Sequence, residues 1–115
     1  MKQERERLTD IVAYARDGLG TIDGVSLTGF MNDRHRRLAA RYCLLVIGEA
    51  AAKLTDATRA AIPGVPWNAI RGLRNRLAHT YDAIADEVVF ETISRDLPEL
   101  VTSITIYLDT TPEQP

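Results

Sequence analysis

The chain has 115 residues, a formal net charge of −2 and 45% hydrophobic residues. That length suits one domain around a single core, and the slightly acidic balance excludes a uniformly basic nucleic-acid coat. No run of about 18 apolar residues could span a membrane, and the charged start Lys2-Gln3-Glu4-Arg5-Glu6-Arg7 lacks the apolar core of a signal peptide, so a cytoplasmic protein is expected.

The periodicity is helical throughout. Leu8, Ile11, Val12, Ala15 and Leu19 recur at three- and four-residue steps and predict a first helix from Glu4 to Arg16, broken by Gly18, Gly20 and Gly24. Leu27 to Met31 suits a short turn. Asn32 or Asp33 can cap a long second helix reaching Leu54. From Leu38 to Ala52 that helix is apolar on nearly all sides, which predicts burial against both an internal core and a partner surface. Leu38, Tyr42, Leu45, Glu49 and Ala52 share one face. Glu49 thus stands among apolar neighbours and is expected to be buried against an arginine of the fourth helix, Arg74 or Arg71.

Thr55 or Asp56 can cap a short third helix through Ile62, ended by Pro63-Gly64. Pro66 suits the first turn of a fourth helix whose core face is Trp67, Ile70, Leu73 and Leu77. Its opposite flank carries Arg71, Asn75 and His79 at four-residue steps, with Arg74 between flank and core and Arg76 pointing away. A fifth helix starts at Asp86 with the stripe Val89, Ile93, Leu97, Leu100 and Ile104, and Pro98 predicts a kink or break in it. The domain spans residues 1–110, and 111–115 reads as a frayed tail.

Chemistry concentrates in the run Arg74-Asn75-Arg76-Leu77-Ala78-His79-Thr80-Tyr81. It joins a permanent cation to the side chain whose reference pKa, about 6.5, lies nearest neutrality. Such a pair can hold a phosphodiester and move a proton beside it. On a straight helix Arg74 and His79 stand about 140° apart, so either the helix loosens near His79 or another helix or subunit completes the site. Two histidines and one cysteine cannot supply a zinc set, and no glycine-rich phosphate loop is present, so metal-independent, side-chain-driven catalysis without a cofactor is expected. Arg34, Arg36, Arg37 and Arg41 cluster around His35, readable as a phosphate-binding patch or as a solvated helix face. Cys43, in an apolar run, reads as a small core residue.

These segments, in order and spacing, resemble the HEPN superfamily and its HepT-like toxin branch. Asp33-Arg34, Ile47-Gly48-Glu49-Ala50-Ala51, Pro66-Trp67, Arg74-Asn75, His79-Thr80-Tyr81 and Asp96-Leu97-Pro98-Glu99-Leu100 carry the likeness over most of the chain. The resemblance implies an all-α HEPN-type bundle of about four to five helices, paired as a homodimer whose two motifs face each other. It implies a metal-independent endoribonuclease that is the toxin of a type VII toxin–antitoxin pair. The partner the resemblance implies is an antitoxin nucleotidyltransferase of the MntA type that silences the toxin by transferring AMP to a motif tyrosine. On this chain Arg74 and His79 match the catalytic pair, Asn75 the polar residue beside it, and Tyr81 the AMP acceptor. Arg71 and Glu49 are expected to support the site. Thr80 replaces the acidic residue often found after the histidine. The alternative is a non-catalytic nucleotide-binding or adaptor subunit of a nucleotidyltransferase complex.

Overall fold

Six helices follow one another along the described residues: α1 (Glu4–Gly20), α2 (Leu27–Met31), α3 (Arg34–Lys53), α4 (Asp56–Ala60), α5 (Trp67–His79) and α6 (Asp86–Thr110). The structure, a computed structural model, describes residues 3–79 and 85–111, and of Ala78 and His79 the backbone alone. The extra helix beyond the expected four or five is the single turn α2, whose Ser26 hydroxyl accepts the Gly29 N–H.

The starts of the helices follow their local chemistry. The Asp33 carboxylate accepts the Arg36 N–H at 3.1 Å and opens α3. That backbone hydrogen bond holds the Asp33 carboxyl below its ordinary range. Thr55 caps α4 in the same way, and Glu4 reaches across from α1 to accept the Thr55 N–H at 2.8 Å. Pro66 stands immediately before α5, where its carbonyl accepts the Ile70 N–H at 3.0 Å. The Trp67 indole N–H donates to the Ile62 carbonyl at 3.1 Å, so the buried ring anchors the start of α5 to the end of α4.

Two breaks expected from the sequence do not occur. α1 runs four residues past Arg16, because Gly18 lies inside the α1–α6 contact rather than at a helix end. A side chain at position 18 would come within 3.0 Å of Leu97 Cδ1. α6 continues through Pro98 for 25 residues. Pro98 and Ser94 are both exposed, so the carbonyl that proline leaves without an N–H partner faces water instead of the core.

α3 packs chiefly on α1 and α5, and α1 packs on α6. The core between them is Leu8, Ile11, Phe30, Leu44, Ile47, Ile93, Leu97, Leu100 and Ile104, each 1% exposed or less. Each such side chain contributes about 1.5–3 kcal/mol relative to an exposed one. Cys43 belongs to this interior, and burial pushes its thiol pKa up. At the far end Arg5 of α1 donates to the Thr111 carbonyl at 2.7 Å and the Leu108 carbonyl at 3.2 Å, tying down the last turn of α6.

The long helix is buried on one side only. Ala40, Cys43, Leu44, Ile47, Gly48 and Ala51 face inward. Leu38 and Tyr42 on the outer side are 50% and 58% exposed. One apolar face thus meets the internal core as expected, and the second, expected to meet a partner, is open in the protomer. Among the described residues no helix is long and apolar enough to cross a membrane.

Candidate active site

α5 carries the polar motif, and α3 is the element that holds it. The two backbones approach closely at Gly48. A methyl group there would sit 2.9 Å from the Arg74 backbone nitrogen and 3.0 Å from the Ile70 carbonyl oxygen. Only glycine accommodates that approach, so the residue that reads as an interruption in an apolar helix sets the height of Arg74 above α3. One residue further along α3, the Glu49 carboxylate meets the Arg74 guanidinium at 3.6 Å.

The pairing of Glu49 with Arg74 is as expected, but its burial is not. The two side chains are 44% and 42% exposed, so the carboxylate is solvated and not embedded among apolar neighbours. Glu49 lies at the rim of the α3–α5 contact, where both side chains reach solvent. Such a pair orients the guanidinium more than it stabilises the fold.

The other candidates flank this pair. Arg71 is half-buried one turn earlier on α5, while Asn75 and Arg76 are exposed. Trp67, Ile70 and Leu73 face the core. α5 remains helical to His79, whose side chain lies outside the described residues. Thr80 and Tyr81, the expected AMP acceptor, lie outside them as well. Among the described residues no group of three His, Cys, Asp or Glu could hold a metal ion.

The first arginine cluster separates into two sets. Arg36 turns toward the protein, pairing with Asp33 at 3.1 Å and donating to the Thr21 carbonyl at 3.0 Å. His35 is exposed. Arg34, Arg37 and Arg41 instead line a cleft of about 320 Å³, together with Leu38, Tyr42, Leu45, Leu77 and Asp86. Asp86, the second residue after the segment 80–84, binds Arg41 at 2.9 Å and Arg37 at 3.3 Å. In the sequence Asp86 is legible only as a helix start. No local signal could reveal a partner 45 residues away.

Residues 1–105 match the family model described as ribonuclease HepT-like. The chain belongs to this family. "Putative RNase TTE0752" of Caldanaerobacter subterraneus subsp. tengcongensis is 32% identical over 100 residues, which cover 87% of this chain and 89% of that protein. "Putative RNase MJ0125" of Methanocaldococcus jannaschii is 31% identical over 93 residues, 81% of this chain and 80% of that protein. "Probable ribonuclease HepT" of Thermococcus cleftensis is 28% identical over 71 residues, 62% of this chain and 64% of that protein. No solved structure matches the chain. The HepT-like membership agrees with the all-helical architecture of the described residues and with the family expected from the ordered motifs.

Proposed function

We infer that the protein is a metal-independent endoribonuclease, the toxin of a type VII toxin–antitoxin pair, acting as a homodimer. The observation that carries this reading is the Glu49-oriented Arg74 on the open flank of α5, in a chain of the ribonuclease HepT-like family. In the reaction a substrate 2′-hydroxyl attacks the adjacent phosphorus. The phosphorus–O5′ bond breaks, leaving a 2′,3′-cyclic phosphate and a free 5′-hydroxyl. His79 takes part in the proton transfer from the attacking hydroxyl or to the leaving oxygen, and Arg74 stabilises the charge on the pentacovalent phosphorus. Asn75 and Arg71 contact phosphate oxygens from the same flank.

A helix that stays regular to His79 keeps Arg74 and His79 about 140° apart, which favours a site completed by a second protomer over one formed within a single helix. The open face of α3, with Leu38, Tyr42 and Leu45, supplies an apolar surface for that pairing. Control is by an MntA-type nucleotidyltransferase that transfers AMP to Tyr81. The tyrosine oxygen bonds to the α-phosphorus of ATP, pyrophosphate leaves, and the phenolic proton is released. The new anion then competes with RNA phosphate for Arg74 and Arg71.

The test is cleavage of RNA by purified protein in EDTA. His79→Ala and Arg74→Ala are expected to lower the rate by about 10²–10⁴-fold with the fold retained. Undiminished cleavage by both variants moves the chemistry elsewhere, and an inert wild-type protein that still binds the transferase establishes the adaptor reading. Intact-mass spectrometry after co-expression with the transferase is expected to show an adenylyl adduct that Tyr81→Phe loses.

A further inference from the structure

We propose that the outer side of α5 around Gly72 is where a single strand of the substrate RNA lies as it runs to His79, the glycine leaving room for the phosphodiester backbone to approach the helix. This rests on the ribonuclease reading above.

Glycine is the poorest helix-interior residue after proline, so a glycine kept there has a cause. Backbone conformation is not the cause at Gly72, since the glycines with positive φ are Gly24 and Gly64. Packing is not the cause either. Gly18 and Gly48, inside α1 and α3, are each required by a neighbouring helix: a Cβ would meet Leu97 Cδ1 at 3.0 Å in the first and the Arg74 nitrogen at 2.9 Å in the second. A Cβ at Gly72 would meet no atom of the described residues within 4 Å. Gly20 has the same open surroundings, but it closes α1, and glycine is common at helix ends. Gly72 is the sixth of the 13 residues of α5, neither a cap nor a turn. What requires it therefore lies outside the protomer.

The side of α5 that carries Gly72 suits a nucleic-acid strand. At about 100° per residue, Asn75 and Arg76 stand about 60° and 40° to either side of it. Position 79 is about 20° away, two turns and about 10 Å further along the helix. Arg74 is about 160° round, on the side that meets Glu49 of α3. A strand crossing Gly72 is thus led past Asn75 to His79. Asn75 and Arg76 are exposed and Arg71 is half-buried, and among the described residues none of the three has a hydrogen-bond or ion-pair partner. α5 contains three arginines and no carboxylate. A second copy of α5 packed on this side about a two-fold axis would set arginine against arginine, whereas a phosphodiester supplies the anion these donors lack.

Gly72→Ala and Gly72→Leu separate a substrate contact from a packing contact. Both place a better helix former in open space, so the melting temperature of Gly72→Ala is expected to rise by about 4 °C. Affinity for a fluorescent single-stranded 2′-O-methyl oligoribonucleotide, which lacks the attacking hydroxyl and is not cleaved, is read by anisotropy. It should fall about tenfold in Gly72→Leu, the loss expected of one displaced charged contact, and by less in Gly72→Ala. In cleavage assays Gly72→Leu should raise KM more than it lowers kcat. Arg76→Ala should reduce the slope of log affinity against log salt by about 0.7, the value for one phosphate contact on a single strand, and Arg76→Lys should restore it. Wild-type RNA affinity in Gly72→Leu overturns the proposal. A lower melting temperature in Gly72→Ala also overturns it, by placing a packing partner over the glycine. So does a change of oligomeric state in Gly72→Leu by light scattering, which would make that partner a second copy of the chain. Cleavage by wild type and Gly72→Leu with equal KM removes the strand contact and leaves the ribonuclease. Gly72-dependent binding by a wild-type protein that cleaves nothing removes the ribonuclease and leaves the contact.

Discussion

Gly48 and Glu49 are neighbours in the sequence with opposite duties. Gly48 permits the approach of α5, and any side chain there must push against the Arg74 nitrogen and the Ile70 oxygen, both backbone atoms that cannot rotate away. Gly48→Ala is therefore expected to destabilise the protein by about 1–3 kcal/mol, despite the better helix propensity of alanine, and to lower activity by displacing Arg74. Urea denaturation checks the first effect; unchanged stability would mean that α3 and α5 separate freely. Glu49 touches Arg74 in a half-exposed pair. Had it been buried, its loss would cost several kcal/mol; as placed, Glu49→Ala should cost less than about 1 kcal/mol. A larger, concentration-dependent loss of melting temperature would put the pair inside a subunit interface. That Glu49 meets Arg74 or Arg71 was legible from charge and spacing, and the structure selects Arg74. The exposure of Glu49 was not, because exposure depends on whether another layer covers α3, and one-dimensional periodicity carries no such information.

At the scale of elements, composition misleads where tertiary packing overrides propensity. Gly18 reads as a stop, yet α1 passes through it, since a small residue there is what the contact with Leu97 requires. Pro98 reads as a break, yet α6 continues on both sides because its apolar stripe packs as one surface and the lost hydrogen bond faces solvent. That exposed site offers a test. Pro98→Ala restores an N–H to the helix interior and is expected to stabilise the protein by about 1–2 kcal/mol, the helix gain offset in part by a more flexible unfolded chain. A lower melting temperature would show instead that proline shapes α6 to fit α1. The capped starts of α3 and α4 were readable in advance, because an aspartate or threonine accepting an N–H three residues on is a local interaction.

At the scale of the whole molecule, the open face of α3 dominates. Leu38 and Tyr42 expose 50% and 58% of their surface there. Light scattering at micromolar concentration is expected to give a dimer. Tyr42→Glu and Leu38→Glu should shift it toward monomer and reduce RNA cleavage together, with circular dichroism unchanged. A monomeric wild type that cleaves RNA would place the complete site within one chain.

The sequence by itself determined the all-α class, the four principal helices, the inward stripes of α1, α5 and α6, and membership of the HepT-like family. Each of these rests on periodicity, local capping or the order of short motifs, and all three are properties of residues close together in the chain. Only the tertiary structure decided that α3 has one covered face and one open one, and that Gly48 is the point of contact for α5. It alone divided the arginine cluster between a helix cap at Arg36 and a cleft gripped by Asp86. Those features depend on which helices become neighbours. That choice is made by the burial of the whole core, a sum over residues far apart in sequence, so no single window of the chain contains it.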